Sequence, residues 1–301
     1  MAMSDVLEAV NSEQSCCASC GMSDGMKLKL CTACKLVRYC SVKCQKKHRP
    51  QHKRACKERA AELHDEILFR QPESSHFGDC PICCLPHSIE GFEERVVSGC
   101  CSKMICSGCF YADNVRQSNG TLKVCLFCRH PLATSQEEAH KLLMKRVEAN
   151  DSFALVQVLE EQYERRNFDA AFKLSKKAAE LGDARAHFRL ATMYSDGEGV
   201  EKNLKKTIRH YEQAAIAGHP YARHNLACAE HSFERAVKHF IIASKLGLNA
   251  SMMMIRELYA EGKVSKEVFD ETLLAHYAAK DATKSVQRSE AAAWERDRTQ
   301  N

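Results

Sequence analysis

The sequence predicts small metal-built modules followed by an all-α helical-repeat solenoid, and three observations carry that prediction. Seventeen of the 18 cysteines stand within the first 130 residues. Most of them form pairs two residues apart: Cys17/Cys20, Cys31/Cys34, Cys80/Cys83, Cys106/Cys109 and Cys125/Cys128. A C-x2-C turn brings two thiolates to one tetrahedral ion, so this density reads as structural zinc. The back half, with Cys228 alone, repeats itself: Ala178-Ala179-x2-Gly182 recurs as Ala214-Ala215-x2-Gly218, and Ala186-x3-Leu190-Ala191 as Ala222-x3-Leu226-Ala227, both at an offset of 36.

Residues Met1 to Ser15 are expected to be disordered, and lack the cationic start and apolar run of a signal peptide. From Cys17 the chain reads C-x2-C-x10-C-x2-C-x5-C-x3-C-x7-H-x3-C, which offers Cys17, Cys20, Cys31, Cys34, Cys40, Cys44, His52 and Cys56 as eight ligands for two sites. Cys40/Cys44 and His52/Cys56 have the i, i+4 spacing of one helical face, so each pair is expected to complete a site begun by a C-x2-C turn. This spacing, with Tyr39 before Cys40, resembles a MYND zinc finger. The resemblance implies an interleaved pairing: Cys17, Cys20, Cys40 and Cys44 on one ion, Cys31, Cys34, His52 and Cys56 on the other. It also implies a binding module for short proline-containing peptides. Cys16 and His48 are surplus, and the first module spans 16–56.

Eight Lys/Arg between Lys43 and Arg59 read as the solvated face of a helix running to about Arg70. Gln71-Pro72-Glu73-Ser74-Ser75 then breaks it, so 57–79 is helix and linker.

Residues 80–131 hold Cys80-Pro81-Ile82-Cys83, Cys100-Cys101, Cys106-x2-Cys109 and Cys125-x2-Cys128, and resemble a RING finger. Where that family usually carries a histidine ligand this chain has Lys103, which offers no lone pair when protonated. The preferred assignment gives one zinc to Cys80, Cys83, Cys106 and Cys109, and the other to Cys100, Cys101, Cys125 and Cys128; His87 or His130 are the alternatives for the missing ligand, and Cys84 is spare. The resemblance implies that Ile82, Arg129 and Pro131 meet a ubiquitin-conjugating enzyme, with Arg129 bridging it to its ubiquitin. The family's proline between the last two ligands is replaced by Phe127.

The repeats occupy about 140–280. A third unit ends Ala243-Ser244-x2-Gly247 at an offset of 29, and the part it lacks matches the loop around Asp196-Gly197-Glu198-Gly199-Val200 of the unit before. Small residues allow close helix packing and glycine ends each second helix. These features resemble Sel-one-like repeats of the tetratricopeptide type, whose stacked helix pairs imply a groove for a partner protein; His187, Arg189, Tyr194, Tyr211, Arg223, His224 and Asn225 are candidates to line it, with a packing or solvated role as the favoured alternative for each. His210, His219, His224, His231 and His239 lack converging spacings and are not read as a metal site. Residues 281–301 read as a polar tail in which Trp294 can dock a short helix. The order MYND, RING-like, helical repeats resembles a group of diatom proteins named for these domains.

The net charge of +5 falls to roughly −2 once three all-cysteine sites and one Cys3His site are loaded, which gives no support to nucleic-acid binding. No run approaches a membrane span. The thiols point to a reducing intracellular setting, cytoplasm or nucleus. No Ser-His-Asp, Cys-His or paired-carboxylate constellation stands out, so no catalytic residue is named, and a MYND-linked methyltransferase is disfavoured by the repetitive rear. The expected protein binds four zinc ions, two per module, and partners proteins or short peptides. Its candidate activity is RING-type ubiquitin ligation, with a non-catalytic adaptor as the alternative and a nucleic-acid regulator third.

Overall fold

A computed structural model describes residues 16–23, 27–90, 95–117 and 124–299. The expected disordered segment 1–15 lies outside the described residues. The chain divides into two units at Arg70.

In the first unit, strands β1 (Lys29–Leu30) and β2 (Arg38–Tyr39) pair antiparallel, Lys29 opposite Tyr39. Helix α1 (Val42–Leu68) follows at once. Ser41 caps it, its hydroxyl accepting from the Cys44 N–H at 3.2 Å. Its core is almost entirely ligand chemistry: Cys17, Cys31, Cys34, Tyr39 and Cys56 are buried together. Lys43, Lys46, Lys47, Lys53 and Lys57 are exposed along α1, as a solvated face requires.

The second unit opens with a cysteine-rich module. Strands β3 (Arg95–Val97) and β4 (Met104–Cys106) form a hairpin with Val96 opposite Ile105, and helix α2 (Ser107–Gln117) leads out of it. Then come α3 (Gln136–Glu148), α4 (Ser152–Glu164), α5 (Phe168–Glu180), α6 (Ala184–Asp196), α7 (Leu204–Ile216), α8 (Pro220–Ala229), α9 (Phe233–Lys245), α10 (Asn249–Ala260), α11 (Lys266–Ala282) and α12 (Val286–Thr299). Helices α4 to α11 stack as four antiparallel pairs. Asp151, Asn167, Asp183 and Asn203 cap four of the starts through their side-chain oxygens.

The internal repeat has a backbone counterpart. The carbonyls of Ala178, Ala214 and Ala243 accept from Asp183, His219 and Leu248, closing each second helix in the same way. All three alanines are fully buried, where a larger side chain would hold neighbouring helices apart. The shortened third unit is visible too. Helix α8 has 10 residues where α6 has 13, and its link to α9 spans only Glu230 to Ser232.

The cysteine-rich module is fastened to the solenoid at several points. The Arg146 guanidinium donates to the Ser102 hydroxyl at 3.4 Å and pairs with Asp151, the α4 cap. Helix α10 begins after Leu248, which has no capping side chain; Glu90 supplies the cap, accepting from the Asn249 backbone N–H at 3.0 Å and from its amide. The His76 N–H donates to the Gly218 carbonyl at 3.0 Å. Gly218 has φ +83, and a Cβ there would meet the Ser74 carbonyl oxygen at 2.8 Å, so two constraints demand glycine.

His76 sits in a ring stack, 4.2 Å from His219, which lies 4.4 Å from Phe188. The His219 Nδ1 accepts from the Ala222 N–H at 3.3 Å, so it must be unprotonated to cap α8. Burial, then the Arg185 charge, pushes His76 down from 6.5 to about 3; burial, then His76, holds His219 well below its ordinary value. Both are neutral in the native fold, while the unfolded chain takes up protons below about 6.5. Their contribution is therefore fully present above that pH and lost as pH falls below it, for His76 down to about 3 and at about 1.4 kcal/mol per pH unit. A His76→Phe chain, which keeps the stack, is expected to show a shallower acid limb by that amount in denaturant midpoints between pH 6.5 and 5.

Candidate metal centres

Four of the five C-x2-C pairs are set by a tight turn that recurs through both modules; Cys106 and Cys109 instead straddle the junction of β4 and α2. The N–H of the residue after the second cysteine donates to the carbonyl of the first: Gly21 to Cys17 at 2.8 Å, Lys35 to Cys31 at 3.0 Å, Cys84 to Cys80 at 2.8 Å and Arg129 to Cys125 at 3.0 Å. All four residues have φ between 56 and 71, a left-handed conformation that only Gly21 adopts without cost. The turn aims both thiols and several N–H groups at one point.

Among the described residues four donor sets result, and within each the ligand atoms lie within 4.8 Å of one another. They are Cys17/Cys20/Cys40/Cys44, Cys31/Cys34/His52/Cys56, Cys80/Cys83/Cys106/Cys109 and Cys100/Cys101/Cys125/Cys128. Two tests show that they fit zinc. A tetrahedron with Zn–S near 2.3 Å has an edge of about 3.8 Å. The sulfur pairs Cys20/Cys40 (3.7 Å), Cys31/Cys56 (3.7 Å), Cys80/Cys109 (3.9 Å), Cys83/Cys106 (3.8 Å) and Cys101/Cys125 (3.7 Å) match that edge.

The second test is electrostatic. In every set one thiol is held down and another pushed up. The Cys40 backbone N–H is the chief cause lowering Cys17 to about 6, whereas the thiols of Cys44 and Cys17 push Cys40 up to about 12. Burial opposes ionisation of Cys31 and Cys125, yet the N–H groups of Cys34 and Cys128 bring them to about 6. Burial and then neighbouring thiols raise Cys56 to about 11, and raise Cys100 and Cys109 further. Three or four thiolates this close ionise together only around a cation.

In the first unit the Cys34 Sγ lies 3.2 Å from His52 Nε2, which identifies the ligating nitrogen. The His52 ring stacks on His48 at 5.7 Å, and the Tyr39 hydroxyl meets His48 Nδ1 at 3.1 Å. His48, surplus as a ligand, therefore orients one, as outer-shell groups do.

The vicinal Cys100 and Cys101 are explained by a turn without its first cysteine. The Ser98 N–H donates to the Lys103 carbonyl at 2.9 Å and the Ser102 N–H to the Ser98 carbonyl at 2.7 Å, the same register as Cys80, Leu85 and Cys84. Ser98 thus stands where Cys80 stands, Cys101 where Cys83 stands, and Ser102 takes the left-handed φ of 55. Cys100 supplies the thiol that Ser98 lacks, 3.3 Å from Cys128. The Ser98 hydroxyl is bonded to Cys125 instead. Neither His87 nor His130 belongs to this set: His87 is buried with no partner among the described residues for either ring nitrogen, and His130 is exposed, with its carbonyl accepting from Cys125. Serine at the register position is not a motif that sequence spacing can recognise.

The other candidates fall as follows. Ile82, in the first turn of the module, is 45% exposed. Arg129 and Pro131 are exposed, and Pro131 bridges to Val124. The residues expected to line a solenoid groove are mostly occupied inside it. Arg223 is fully buried and donates to the Ala215 carbonyl, Tyr211 accepts from Asn225, Tyr194 stacks on His210, Arg189 pairs with Glu160, and His224 bonds Ser251. Long polar side chains at helical spacing can serve packing between helices as readily as an open face. The polar tail is a helix: α12 lies against α2, with Trp294 5.7 Å from Tyr111.

Comparison with known proteins agrees with this geometry. Residues 17–56 match the family model of the MYND finger, and residues 160–183, 184–219 and 221–248 match that of the Sel1 repeat. The chain carries a MYND finger and Sel1 repeats. No curated protein matches it. Among solved structures it is similar to a Sel1 repeat protein from Oxalobacter formigenes, at 22% identity over 49% of this chain and 66% of that one, with a TM-score of 0.43. It is also similar to c5321, a protective antigen of uropathogenic Escherichia coli with an SLR fold, at 19% identity over 62% of this chain and 40% of that one, TM-score 0.40. This chain thus spans less than two thirds of the length of either.

Proposed function

We propose that this chain is a zinc-dependent protein-interaction protein whose RING-like module recruits a ubiquitin-conjugating enzyme, with the MYND finger and Sel1 repeats selecting what is modified. The interaction role rests on the MYND finger and the Sel1 repeats, both of which generally mediate protein contacts. Among the described residues no helix is long and apolar enough to cross a membrane.

The observation that carries the specific activity is the pair of complete cysteine sets in residues 80–128 with Ile82, Arg129 and Pro131 all left exposed beside them. An apolar side chain on one zinc turn suits an enzyme's loop, and a cation after the final ligand suits bridging that enzyme to ubiquitin. The ligase would supply no nucleophile. Its gain is the restriction of the thioester to a reactive pose, an effect of positioning.

A second reading is favoured by Phe127, which replaces the proline of active RING fingers, and by the fastening of the module through Arg146, Glu90 and Arg288. On that reading the module is a rigid scaffold. Ubiquitin discharge from a panel of charged conjugating enzymes separates the two. The proposed ligase accelerates discharge, and Ile82→Ala and Arg129→Ala each abolish the acceleration while retaining four zincs. No acceleration across a broad panel by fully metallated protein would leave the adaptor.

A further inference from the structure

We infer that Arg288, on the C-terminal helix, is an outer-shell cation of the Cys80/Cys83/Cys106/Cys109 zinc site, so that metal loading and docking of that helix support each other. The guanidinium reaches across 205 residues of sequence to donate to Cys83 Sγ at 3.6 Å, to the Leu85 carbonyl at 3.2 Å and to the Pro86 carbonyl at 2.7 Å. It also donates to the Thr283 carbonyl at 2.6 Å, and it acts on the Cys106 thiol. Its place is held by the fit of α12 on α2. A Cβ on Gly108 would meet the Arg288 backbone nitrogen at 2.7 Å, so glycine there allows the two helices to touch backbone to backbone. Further along α12, Ala291 is buried and Trp294 packs beside Tyr111.

Charge explains what such a partner does for this site. A zinc ion with four thiolates carries two net negative charges, which burial makes costly unless a positive group compensates. The Cys31 set carries one fewer, because His52 replaces a thiolate. The Cys17 and Cys100 sets each include an exposed cysteine, Cys20 and Cys128, so water screens them. The Cys80 set alone among the four is all-cysteine with three of its ligands buried. It is the dianion least reached by solvent, and Arg288 brings a guanidinium to it. Planar and always charged, arginine meets a thiolate and three carbonyls at once, which a lysine cannot do with the same geometry.

By linkage, whatever the thiolate–zinc centre gains from Arg288 is returned as tighter docking of α12. The inference is independent of whether the module engages a conjugating enzyme.

The test uses the full-length, zinc-loaded chain. Zinc is drawn off by a chromogenic chelator while N-ethylmaleimide traps freed thiols, and mass spectrometry follows each cysteine. Arg288→Gln is expected to release the Cys80 set roughly 10–100-fold faster, the usual cost of losing an outer-shell partner, with the other three sets unchanged. Arg288→Lys keeps the charge and is expected to fall between the two. In cobalt-substituted protein, Arg288→Gln should move the thiolate-to-metal absorption to longer wavelength, a signature that loosened packing elsewhere would not give. Unchanged release in Arg288→Gln, acceleration spread evenly over all four sets, or a lysine variant no better than glutamine would each overturn the assignment.

Discussion

Serine in place of Cys40 is expected to unfold the first unit and empty both of its metal sites while the repeats stay helical. Cys40 completes the Cys17 set, and Cys44 in that set anchors the start of α1. The same helix carries His52 and Cys56, half of the other set. Losing one ion therefore frees the helix that holds the second. There is little else to hold this unit, because its buried cluster consists of Tyr39 and ligand cysteines. Structural zinc contributes on the order of 10–16 kcal/mol in comparable small modules, as much as the whole stability of an ordinary domain. Zinc content should fall from four to two per chain, protease should cut within 16–56, and far-ultraviolet circular dichroism should retain the solenoid's helix. Cys31→Ser should behave alike. Four zincs and intact protease resistance in either variant would show that the two sites do not brace one another.

Cys100→Ser is expected to remove one zinc from the second module, leaving three. Ser98 already occupies the register of a first turn cysteine, so a second serine leaves the site with Cys101, Cys125 and Cys128 only. His87→Ala and His130→Ala should each keep four. The destabilisation should reach the solenoid, because the Ser98–Lys103 turn carries Ser102, to which Arg146 is tied. A lowered melting temperature for the helical signal, absent in Cys40→Ser, would report that connection. Retention of four zincs by Cys100→Ser would mean that another donor closes the site.

Most ligands are legible in the sequence because zinc chemistry writes itself in short spacings. Two cysteines two residues apart, or a pair one helical turn apart, need only local backbone geometry to converge. The repeat architecture is legible for a similar reason, since Ala178, Ala214 and Ala243 mark one packing position at intervals of 36 and 29. The interleaved pairing follows from family resemblance, and the fold brings the same residues together. Of the groove candidates, Tyr194, Tyr211 and Arg223 take the packing alternative, which the sequence could not settle because a helical period marks which residues share a face, and not whether solvent or another helix covers it.

By itself, the sequence determined the kinds of module, their order, and a chemistry of thiolates around zinc, since all three depend on interactions between near neighbours along the chain. The tertiary structure alone decided that Ser98 stands in a cysteine's place, that His76 stacks into the solenoid, that Glu90 caps α10, and that Arg288 returns to the zinc site. Those contacts join residues up to 205 apart. Each depends on a burial and a backbone register that exist only once both partners have folded, and an isolated serine, glutamate or arginine carries no local mark of either.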